Sequence, residues 1–375
     1  MIARVAVLLA AFALGGCGLF GIGGDAAKKP MPLGEIKPSV TPKTVWSVSV
    51  GKARDQHFHP APSGGRVYAA AEDGTVTILD EDTGKLVARL DAKKKLSSGV
   101  GVEAATIIVG TIKGDVIALD PSGKVLWTAQ VAGEVLAPAT VTTSSALVRT
   151  SDGRIFAFGL ADGKRRWVYQ RATPPLLLRG ESGVVATATN VVAGYPGGKL
   201  VALDIEDGKL TWEVTVALPR GATELERVAD VAGLPVIDGG RICAAAFQGK
   251  VACFDIQGAT TAWSRDISSA TGLSFAGSNV YLTDDKDNVH ALDKATGASR
   301  WKQDKLLRRR LTLPVVFEDR VVVGDSLGYL HVLSADDGSI VGRLALDGTA
   351  VNALVPTRNG LYVQTAGGTL SLVRF

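Results

Sequence analysis

The sequence predicts an all-β protein, an eight-bladed β-propeller, on three observations. The motif Gly-x-Φ-x-Φ-Leu-Asp-x-x-x-Gly-x-x-x-Trp, in which Φ is apolar, recurs in eight rows whose starts lie 38 to 51 residues apart. All six tryptophans occupy one position of that motif. Glycine, with 44 of 375 residues, is as frequent as many tight turns require. A repeat of about 40 residues is typical of propellers whose blades have four short antiparallel strands.

The repeat rows have the pattern of paired strands joined by tight turns. In the clearest row, Gly198 to Asp204 followed by Gly208 and Trp212, apolar residues alternate as on one face of a strand. We expect the Asp of each row to bond backbone groups of its turn and each Trp to pack between adjacent blades. The rows start at residues 74, 114, 153, 198, 249, 287, 328 and 368.

The two ends of the chain predict how the ring closes. Trp46 lies in an apolar segment that precedes the first row, whereas the last row starts at Gly368 and stops at Phe375, before its Trp strand. The N-terminal strand is therefore expected to complete the last blade, which leaves no long open edge. The propeller is predicted over residues 45–375.

Residues 1–16 are predicted to be a lipoprotein signal peptide. Arg4 precedes ten apolar residues, too few to span a bilayer, and small residues follow. Leu14-Gly-Gly-Cys17 resembles the bacterial lipobox, which implies that Cys17 is acylated and becomes the mature N-terminus. Gly18 stands where inner-membrane retention signals have Asp, as in outer-membrane lipoproteins. Residues 17–44 are expected to form a lipidated flexible tether; an ordinary cleaved signal with an incidental cysteine is the alternative.

Charge and reactive side chains exclude several functions. A net charge of +4, from 41 basic and 37 acidic residues, is too balanced for a dedicated nucleic-acid binder. Arg308-Arg309-Arg310 is interpreted as a solvated loop, with nucleic acid or anionic lipid as the alternative partners. The four histidines form no predicted metal site and are expected on strands or the surface. They are His57, His59, His290 and His331.

The rows resemble the tryptophan-docking repeat of quinoprotein alcohol and glucose dehydrogenases, propellers that hold pyrroloquinoline quinone with Ca²⁺. In that family the quinone lies between a Trp and a disulfide of adjacent cysteines. Here Cys243 and Cys253 are ten residues apart, and no Trp lies outside the docking position. We therefore predict no enzyme, no cofactor and no metal. The two cysteines either fill the core or form a cross-strand disulfide over the Gly249 hairpin.

Two connections between blades are longer than the others. From the Trp of one row to the start of the next there are 31 residues after Trp167 and 37 after Trp212. Added loop on a rigid ring commonly carries binding residues, and these two loops belong to consecutive blades. Leu176 to Leu178 beside Arg179 have the composition of an interface hot spot. The alternative for the leucines is an inner strand of the blade.

At these loops the sequence resembles the BamB family, the lipoprotein propellers of the outer-membrane β-barrel assembly (Bam) machine. The resemblance covers essentially the whole chain. It implies that Leu176, Leu178, Arg179 and Asp230 bind BamA, the barrel subunit. The family pattern Asp-Val-Asp reads Asp230-Val-Ala232 here, so the second acidic contact is absent. The matching motifs are Leu-x-Leu-Arg-Gly-Glu-Ser at 176–182, Arg-Gly-x-Thr-Glu at 220–224, Arg227-x-x-Asp230-Val and Val323-Gly-Asp-Ser-x-Gly-Tyr-Leu-His331.

The resemblance implies a non-catalytic lipoprotein anchored in the outer membrane and facing the periplasm. Its expected partners are the periplasmic POTRA region of BamA, other Bam subunits and unfolded outer-membrane proteins, with no nucleic acid, and it is expected to be one monomer within a hetero-oligomer. Its role would be to aid folding and insertion of β-barrel proteins. The alternatives are a periplasmic quinoprotein dehydrogenase and a scaffold for another envelope complex.

Overall fold

The computed structural model describes residues 29–53, 56–179, 182–258 and 260–375. Every regular element within these ranges is a β-strand. They contain no helix that is long and apolar enough to cross a membrane. The predicted signal peptide at 1–16 and the predicted lipidation site Cys17 lie outside the described residues.

Thirty-two strands form eight antiparallel sheets of four strands each. In chain order they are β1 (Lys43–Ser49), β2 (Ala61–Ser63), β3 (Arg66–Ala70), β4 (Thr75–Asp80), β5 (Leu86–Asp91), β6 (Gly101–Glu103), β7 (Thr106–Gly110), β8 (Asp115–Leu119), β9 (Val125–Gln130), β10 (Thr140–Val141), β11 (Ser145–Arg149), β12 (Ile155–Gly159), β13 (Arg165–Tyr169), β14 (Val185–Ala186), β15 (Asn190–Tyr195), β16 (Lys199–Asp204), β17 (Leu210–Thr215), β18 (Val236–Asp238), β19 (Arg241–Ala245), β20 (Val251–Asp255), β21 (Thr260–Arg265), β22 (Leu273–Ala276), β23 (Asn279–Thr283), β24 (Val289–Asp293), β25 (Ser299–Gln303), β26 (Val315–Phe317), β27 (Arg320–Gly324), β28 (Tyr329–Ser334), β29 (Ile340–Ala345), β30 (Val351–Thr357), β31 (Gly360–Thr365) and β32 (Thr369–Arg374).

Each sheet is one blade, so the predicted eight-bladed propeller is confirmed. Blades 1 to 7 take four consecutive strands each, from β2–β5 to β26–β29, and blade 8 combines β30, β31 and β32 with β1. The N-terminal strand therefore completes the last blade as expected, with Trp46 opposite Leu372 in the ladder. Because the first and last segments pair in one sheet, the ring is closed by backbone hydrogen bonds.

The recurring contact between neighbouring blades is an indole ring on a glycine turn. Trp167, on the outer strand of blade 3, donates its Nε1–H to the carbonyl of Ile205 in blade 4 at 3.0 Å. A Cβ on Gly208, at φ +71°, would lie 2.6 Å from the same indole. The predicted docking role of the tryptophans is thus confirmed for five glycine contacts. The pairs are Trp46 with Gly84, Trp127 with Gly163, Trp167 with Gly208, Trp263 with Gly297 and Trp301 with Gly338.

The Asp of the repeat organises its turn, as the sequence predicts. Asp204 accepts backbone N–H bonds from Glu206 at 2.8 Å and Asp207 at 3.2 Å. Asp293 accepts equivalent bonds, and the bonds from Thr296 and Arg300 lower its pKa to about 2. These carboxylates thus satisfy backbone donors of the turn. In blade 4 the ladder between the third and the outer strand has a register shift beside the turn, between Ala202 and Leu203.

Cys243 and Cys253 form a disulfide, which settles the alternatives left by the sequence. They stand opposite each other in the ladder of β19 and β20, and both are fully buried. Cys253 also faces Trp263 across the sheet, at the position that Ala157 and Ala202 occupy opposite their tryptophans. The disulfide therefore fills the small-residue position of the blade 5 core.

The strand order gives the ring two distinct faces. The Asp-x-x-x-Gly turns lie on one face, which we call the turn face. The hairpins between the second and third strand of each blade lie on the other, together with the connections from each outer strand to the next inner strand. We call this the connection face. Both long loops identified in the sequence lie on the connection face.

Residues 29–42, within the predicted tether, lie against blades 6 and 7, and we call them the strap. The backbone N–H groups of Ser39 and Val40 both donate to the carbonyl of Val341 on β29. Leu33 packs on the apolar core of blade 6. Arg309 lies beneath the strap and is only 3% exposed, so its interpretation as part of a solvated loop was wrong. Arg308 and Arg310 are exposed as expected.

The Trp–Gly contact predicts a large cost for Gly208→Ala. The added Cβ meets the indole of Trp167 and the left-handed backbone is strained, so we expect a loss of about 3 kcal/mol in the free energy of unfolding. Gly240→Ala is the control, because Gly240 has φ +85° and no atom within 4 Å of the added Cβ; it should lose about 1 kcal/mol. Urea unfolding measures both, and equal losses would contradict the docking role.

Candidate functional site

Two connections form one surface on the connection face. Residues 170–184 link β13 to β14, and residues 216–235 link β17 to β18. They belong to consecutive blades, and a direct hydrogen bond joins them. The expectation that the two loops are spatial neighbours is confirmed. We call them loop A (170–184) and loop B (216–235), and together they are the candidate binding surface.

Asp230 is the residue that joins the loops. Its Oδ2 accepts the N–H of Leu178 in loop A at 2.6 Å, and its Oδ1 accepts the N–H of Gly197 in blade 4 at 3.2 Å. The residue is 4% exposed. Burial raises the pKa of Asp230, and the two backbone donors act in the opposite direction. The carboxylate therefore fixes the backbone on which Leu178 and Arg179 are presented, rather than lying free at the surface.

Leu176, Leu178 and Arg179 lie in irregular backbone, so the alternative of an inner strand is wrong for this stretch. Leu176 is 41% exposed, whereas Leu178 is half-buried. The Arg179 guanidinium is held by an exposed ion pair, with Nε 3.2 Å from Oε2 of Glu134. Glu134 comes from the connection between blades 2 and 3. The loop thus presents a leucine and an oriented guanidinium towards solvent.

Arg149 fixes the other end of loop A, and the sequence analysis did not identify it. It lies at the end of β11 and is 8% exposed. Its guanidinium donates to the Ser182 hydroxyl at 3.2 Å and to the carbonyl of Gly194 in blade 4. It also lies 5.0 Å from the ring centre of Tyr195. A lone arginine at the end of the apolar run Ala146-Leu-Val148 was the available signal.

Loop B has internal order of its own between residues 219 and 227. Glu226 Oε2 accepts the backbone N–H groups of Thr223 at 3.1 Å and Ala222 at 2.7 Å, which lowers its pKa. Arg227 donates to the carbonyl of Gly221 at 3.0 Å. The motif 220–227 is therefore the framework of a folded loop.

Three exposed leucines on loop B extend the apolar part of the surface. Their exposed fractions are 65% for Leu218, 67% for Leu225 and 46% for Leu234. Single exposed apolar residues are common, but a set of them on one pair of ordered loops is typical of an interface. Sequence reasoning missed them because each is isolated in the chain. A cleft lined by Arg220, Leu225, Glu226 and Gln248 lies beside them.

The surface has the chemistry of a protein-docking site. Apolar anchors and an oriented guanidinium bind well when a partner removes them from water. Asp230, Arg149 and the Glu226 turn hold the loop backbones, so little conformational entropy remains to be lost on binding. Within the described ranges, no three His, Cys, Asp or Glu side chains gather as a metal site.

The residues do not fit the quinone site of the dehydrogenase propellers. Five of the six tryptophans are stacked on a turn glycine of the next blade, and Trp212 packs in the core between blades 4 and 5. The disulfide joins opposite strands inside blade 5 and is fully buried. Neither an indole nor a vicinal disulfide is therefore placed to sandwich a planar cofactor.

Comparison with known proteins gives one consistent family. A family profile described as "Outer membrane protein assembly factor BamB" matches residues 72–303 and 305–374. A curated protein of that name from Burkholderia pseudomallei (strain K96243) is 40% identical over 346 residues, which are 92% of this chain and 91% of the relative.

Solved structures give the same relationship and a more distant one. The crystal structure of BamB from Moraxella catarrhalis matches with a TM-score of 0.83 and 29% identity, covering 89% of this chain and all of that chain. A quinohemoprotein alcohol dehydrogenase from Comamonas testosteroni matches with a TM-score of 0.71 and 14% identity, over 88% of this chain and 76% of its own. The second similarity is one of fold alone.

The buried carboxylate predicts a pH dependence that Asp230→Asn removes. Because the folded pKa is raised, protonation of Asp230 stabilises the fold below the ordinary Asp pKa of about 3.9, and this stability is lost as pH rises through the raised pKa. The free energy of unfolding of wild type minus that of the variant should therefore fall as pH rises from 3 towards 7. Urea unfolding across that range measures it; a constant difference would contradict the burial of this charge.

Proposed function

The chain belongs to the family of the outer membrane protein assembly factor BamB, and on that premise we propose that it is a non-catalytic lipoprotein subunit of the Bam complex. It is anchored through Cys17 in the outer membrane and faces the periplasm. There it binds the POTRA region of BamA through loops A and B and aids the folding and insertion of β-barrel proteins. The direct bond between Asp230 and Leu178 is the observation that most supports this surface, since it unites the residues that the family resemblance selects.

Each of the four site residues has a distinct role in this proposal. Leu176 is the exposed apolar anchor, and Arg179 offers a directional guanidinium that a carboxylate or carbonyl of BamA can accept. Leu178 connects the exposed part of loop A to loop B, because its N–H donates to Asp230. Asp230 is a positioning residue, because its oxygens are already bonded to backbone N–H groups.

The outer strands of the blades suit the capture of unfolded barrel strands. An outer strand has one unpaired edge, to which an extended chain can add by β-augmentation. Exposed apolar side chains line these edges in blades 1 and 2, at Leu86, Val87, Val125 and Leu126. The strap gives an example on blade 7, where Ser39 and Val40 bond to the outer strand.

Two other functions remain as alternatives. A quinoprotein dehydrogenase is favoured only by the shared fold, and the tryptophans and cysteines of this chain are placed differently from a quinone sandwich. A scaffold for another envelope complex would use the same rigid ring and the same loops. It differs from the proposed function only in the partner that these loops select.

Lipidation of Cys17 is tested on the protein purified from the cell envelope. We expect mass spectrometry to find a mature N-terminal peptide that begins at Cys17 and carries three acyl chains. Growth with labelled palmitate should label the wild type but not Cys17→Ala. An unmodified N-terminus downstream of residue 17 would contradict the anchor.

The partner surface is tested by affinity purification of the tagged, full-length protein from detergent-solubilised envelope. The wild type should recover BamA and other Bam subunits, whereas Arg179→Glu should lose BamA, because the introduced carboxylate repels Glu134 and removes the guanidinium. Truncation of a hot-spot residue typically costs about 2 kcal/mol or more, roughly 30-fold in affinity. The double variant Leu178→Ala/Arg179→Ala should behave in the same way.

Lys164→Glu is the matched control, since Lys164 lies on the turn face of the same blade and its side chain is 84% exposed. It should recover BamA like the wild type, and Arg179→Glu should unfold at nearly the wild-type urea concentration. The double variant should still unfold in one transition, at a lower urea concentration because Leu178 is half-buried. Recovery of BamA by Arg179→Glu at the wild-type level would remove the proposed surface. Absence of any barrel partner from the wild type, even after gentle crosslinking, would favour a different envelope scaffold.

A further inference from the structure

Three arginine side chains hold the strap by donating hydrogen bonds to its backbone carbonyls. Arg308 donates to the carbonyl of Lys29 at 2.9 Å, and Arg309 donates to that of Met31 at 2.9 Å. Arg343 donates to the carbonyl of Gly34 at 3.3 Å. The N–H of Met31 in turn donates to the carbonyl of Leu307 at 3.0 Å. The first residues of the strap are therefore fixed on the connection between blades 6 and 7.

Arg309 is itself positioned by a buried polar cluster. Its Nε lies 2.7 Å from Oδ2 of Asp325, whose side chain is fully buried. The same carboxylate oxygen contacts Nε2 of His331 at 2.9 Å, and His331 is also fully buried. Arg343 approaches the other ring nitrogen of His331 at 3.4 Å. Burial of these groups is costly unless each is bonded, so the cluster indicates a built docking site for the strap.

The far end of the strap replaces a tryptophan. Blade 7 has Gly342 at the docking position, and a Cβ there would lie 2.8 Å from the carbonyl oxygen of Val40 and 3.2 Å from Pro42. Val40 packs against the apolar core of blade 7. The space that an indole fills in other blades is thus occupied by the strap, which explains why this row lacks its Trp.

The docked strap limits how far blades 6 and 7 can lie from the membrane. Twelve residue steps separate Cys17 from Lys29, and an extended chain spans at most about 3.5 Å per residue. The start of the strap must therefore lie within about 40 Å of the lipidated residue. The opposite side of the ring is restrained less directly, because it is linked to the anchor only through the rest of the propeller.

The same sector is rich in exposed cations. Five cations are exposed around the start of the strap: Lys29, Lys302, Lys305, Arg308 and Arg310. Asp304 is exposed among them, and further along the strap the exposed Glu35 and Lys37 offset each other. The neighbouring hairpin of blade 6 presents Asp285 and Lys286, which offset each other. The acidic turn residues of blade 7, Asp336 and Asp337, lie on the other face. We call this set of five cations the basic rim.

We infer that the basic rim is the membrane-facing part of the ring and that its cations contact anionic lipid headgroups. The strap brings this rim to the bilayer, and each lysine or arginine near an anionic surface then adds to the attraction. The inference rests on the proposed anchorage at Cys17. Loops A and B, in the connections after blades 3 and 4, lie three and two blades away from the rim around the ring, so they are further from the membrane than the rim is.

The test uses the full lipidated protein reconstituted into vesicles of phosphatidylcholine and phosphatidylglycerol. A fluorophore is attached at Lys305→Cys or, as the control, at Lys113→Cys, which is exposed on the same face half a ring away in blade 2. Cys243 and Cys253 do not react, since they form a buried disulfide. Energy transfer to a labelled headgroup reports which side of the ring lies near the bilayer.

We expect strong transfer from position 305 and weak transfer from position 113. In the 305-labelled protein, transfer should fall with Lys302→Glu/Arg310→Glu, which leaves the strap-binding Arg308 in place, or with vesicles of phosphatidylcholine alone. Each cation removed should lower, roughly fivefold, the ratio of protein whose basic rim contacts the bilayer to protein whose rim is detached from it.

Two results would overturn the inference, and they are distinguishable from failure of the proposed anchor. Equal transfer from both positions in the anchored wild type contradicts the orientation. Unchanged transfer at position 305 after charge reversal or in neutral vesicles contradicts the headgroup contact. If the purified wild type carries no lipid on Cys17 and does not float with the vesicles, the anchor and the inference are both contradicted.

Discussion

The structure depends on one repeated contact, an indole ring stacked on a glycine turn of the next blade. Only glycine fits beneath the indole ring, because a Cβ at position 208 would lie 2.6 Å from the indole of Trp167. The contact joins five of the eight blades to the next one. Four-stranded sheets that would be marginal alone also share apolar cores with their neighbours around the ring. Pairing of β1 with β32 then closes the ring by backbone hydrogen bonds. The resulting rigidity lets long connections be presented without collapsing.

At two places on the ring, buried charged side chains hold a segment of the chain in position through hydrogen bonds with backbone groups. On one side Asp230 accepts N–H groups of loop A and blade 4. On the other, Arg309 and Asp325 hold the strap. Buried charges without partners are costly, so both clusters define one arrangement of their segments. In the proposed function, the propeller is a rigid spacer between the lipid anchor and the surface that binds BamA.

The fold could be predicted from the sequence because tryptophan, glycine and aspartate recur at fixed positions of the repeat, where they form the contacts between blades and the turns. It also selected loops A and B by their length, and the bond between Leu178 and Asp230 confirms that they meet. It did not reveal that Asp230 is buried, since a carboxylate in a loop is usually solvated. The strap was missed because its recognition is largely through its carbonyls, which leave no side-chain pattern. Gly342 in place of Trp was the remaining trace of it.

In vivo photocrosslinking tests the central claim, that the ring presents loop A to the barrel subunit. A photoreactive residue is introduced at Leu176, which is exposed on loop A, and at Ala161, which is exposed on the turn face of the same blade. The account predicts an adduct with BamA from position 176 and none from position 161. Adducts with BamA from position 161 but not from 176 would contradict it.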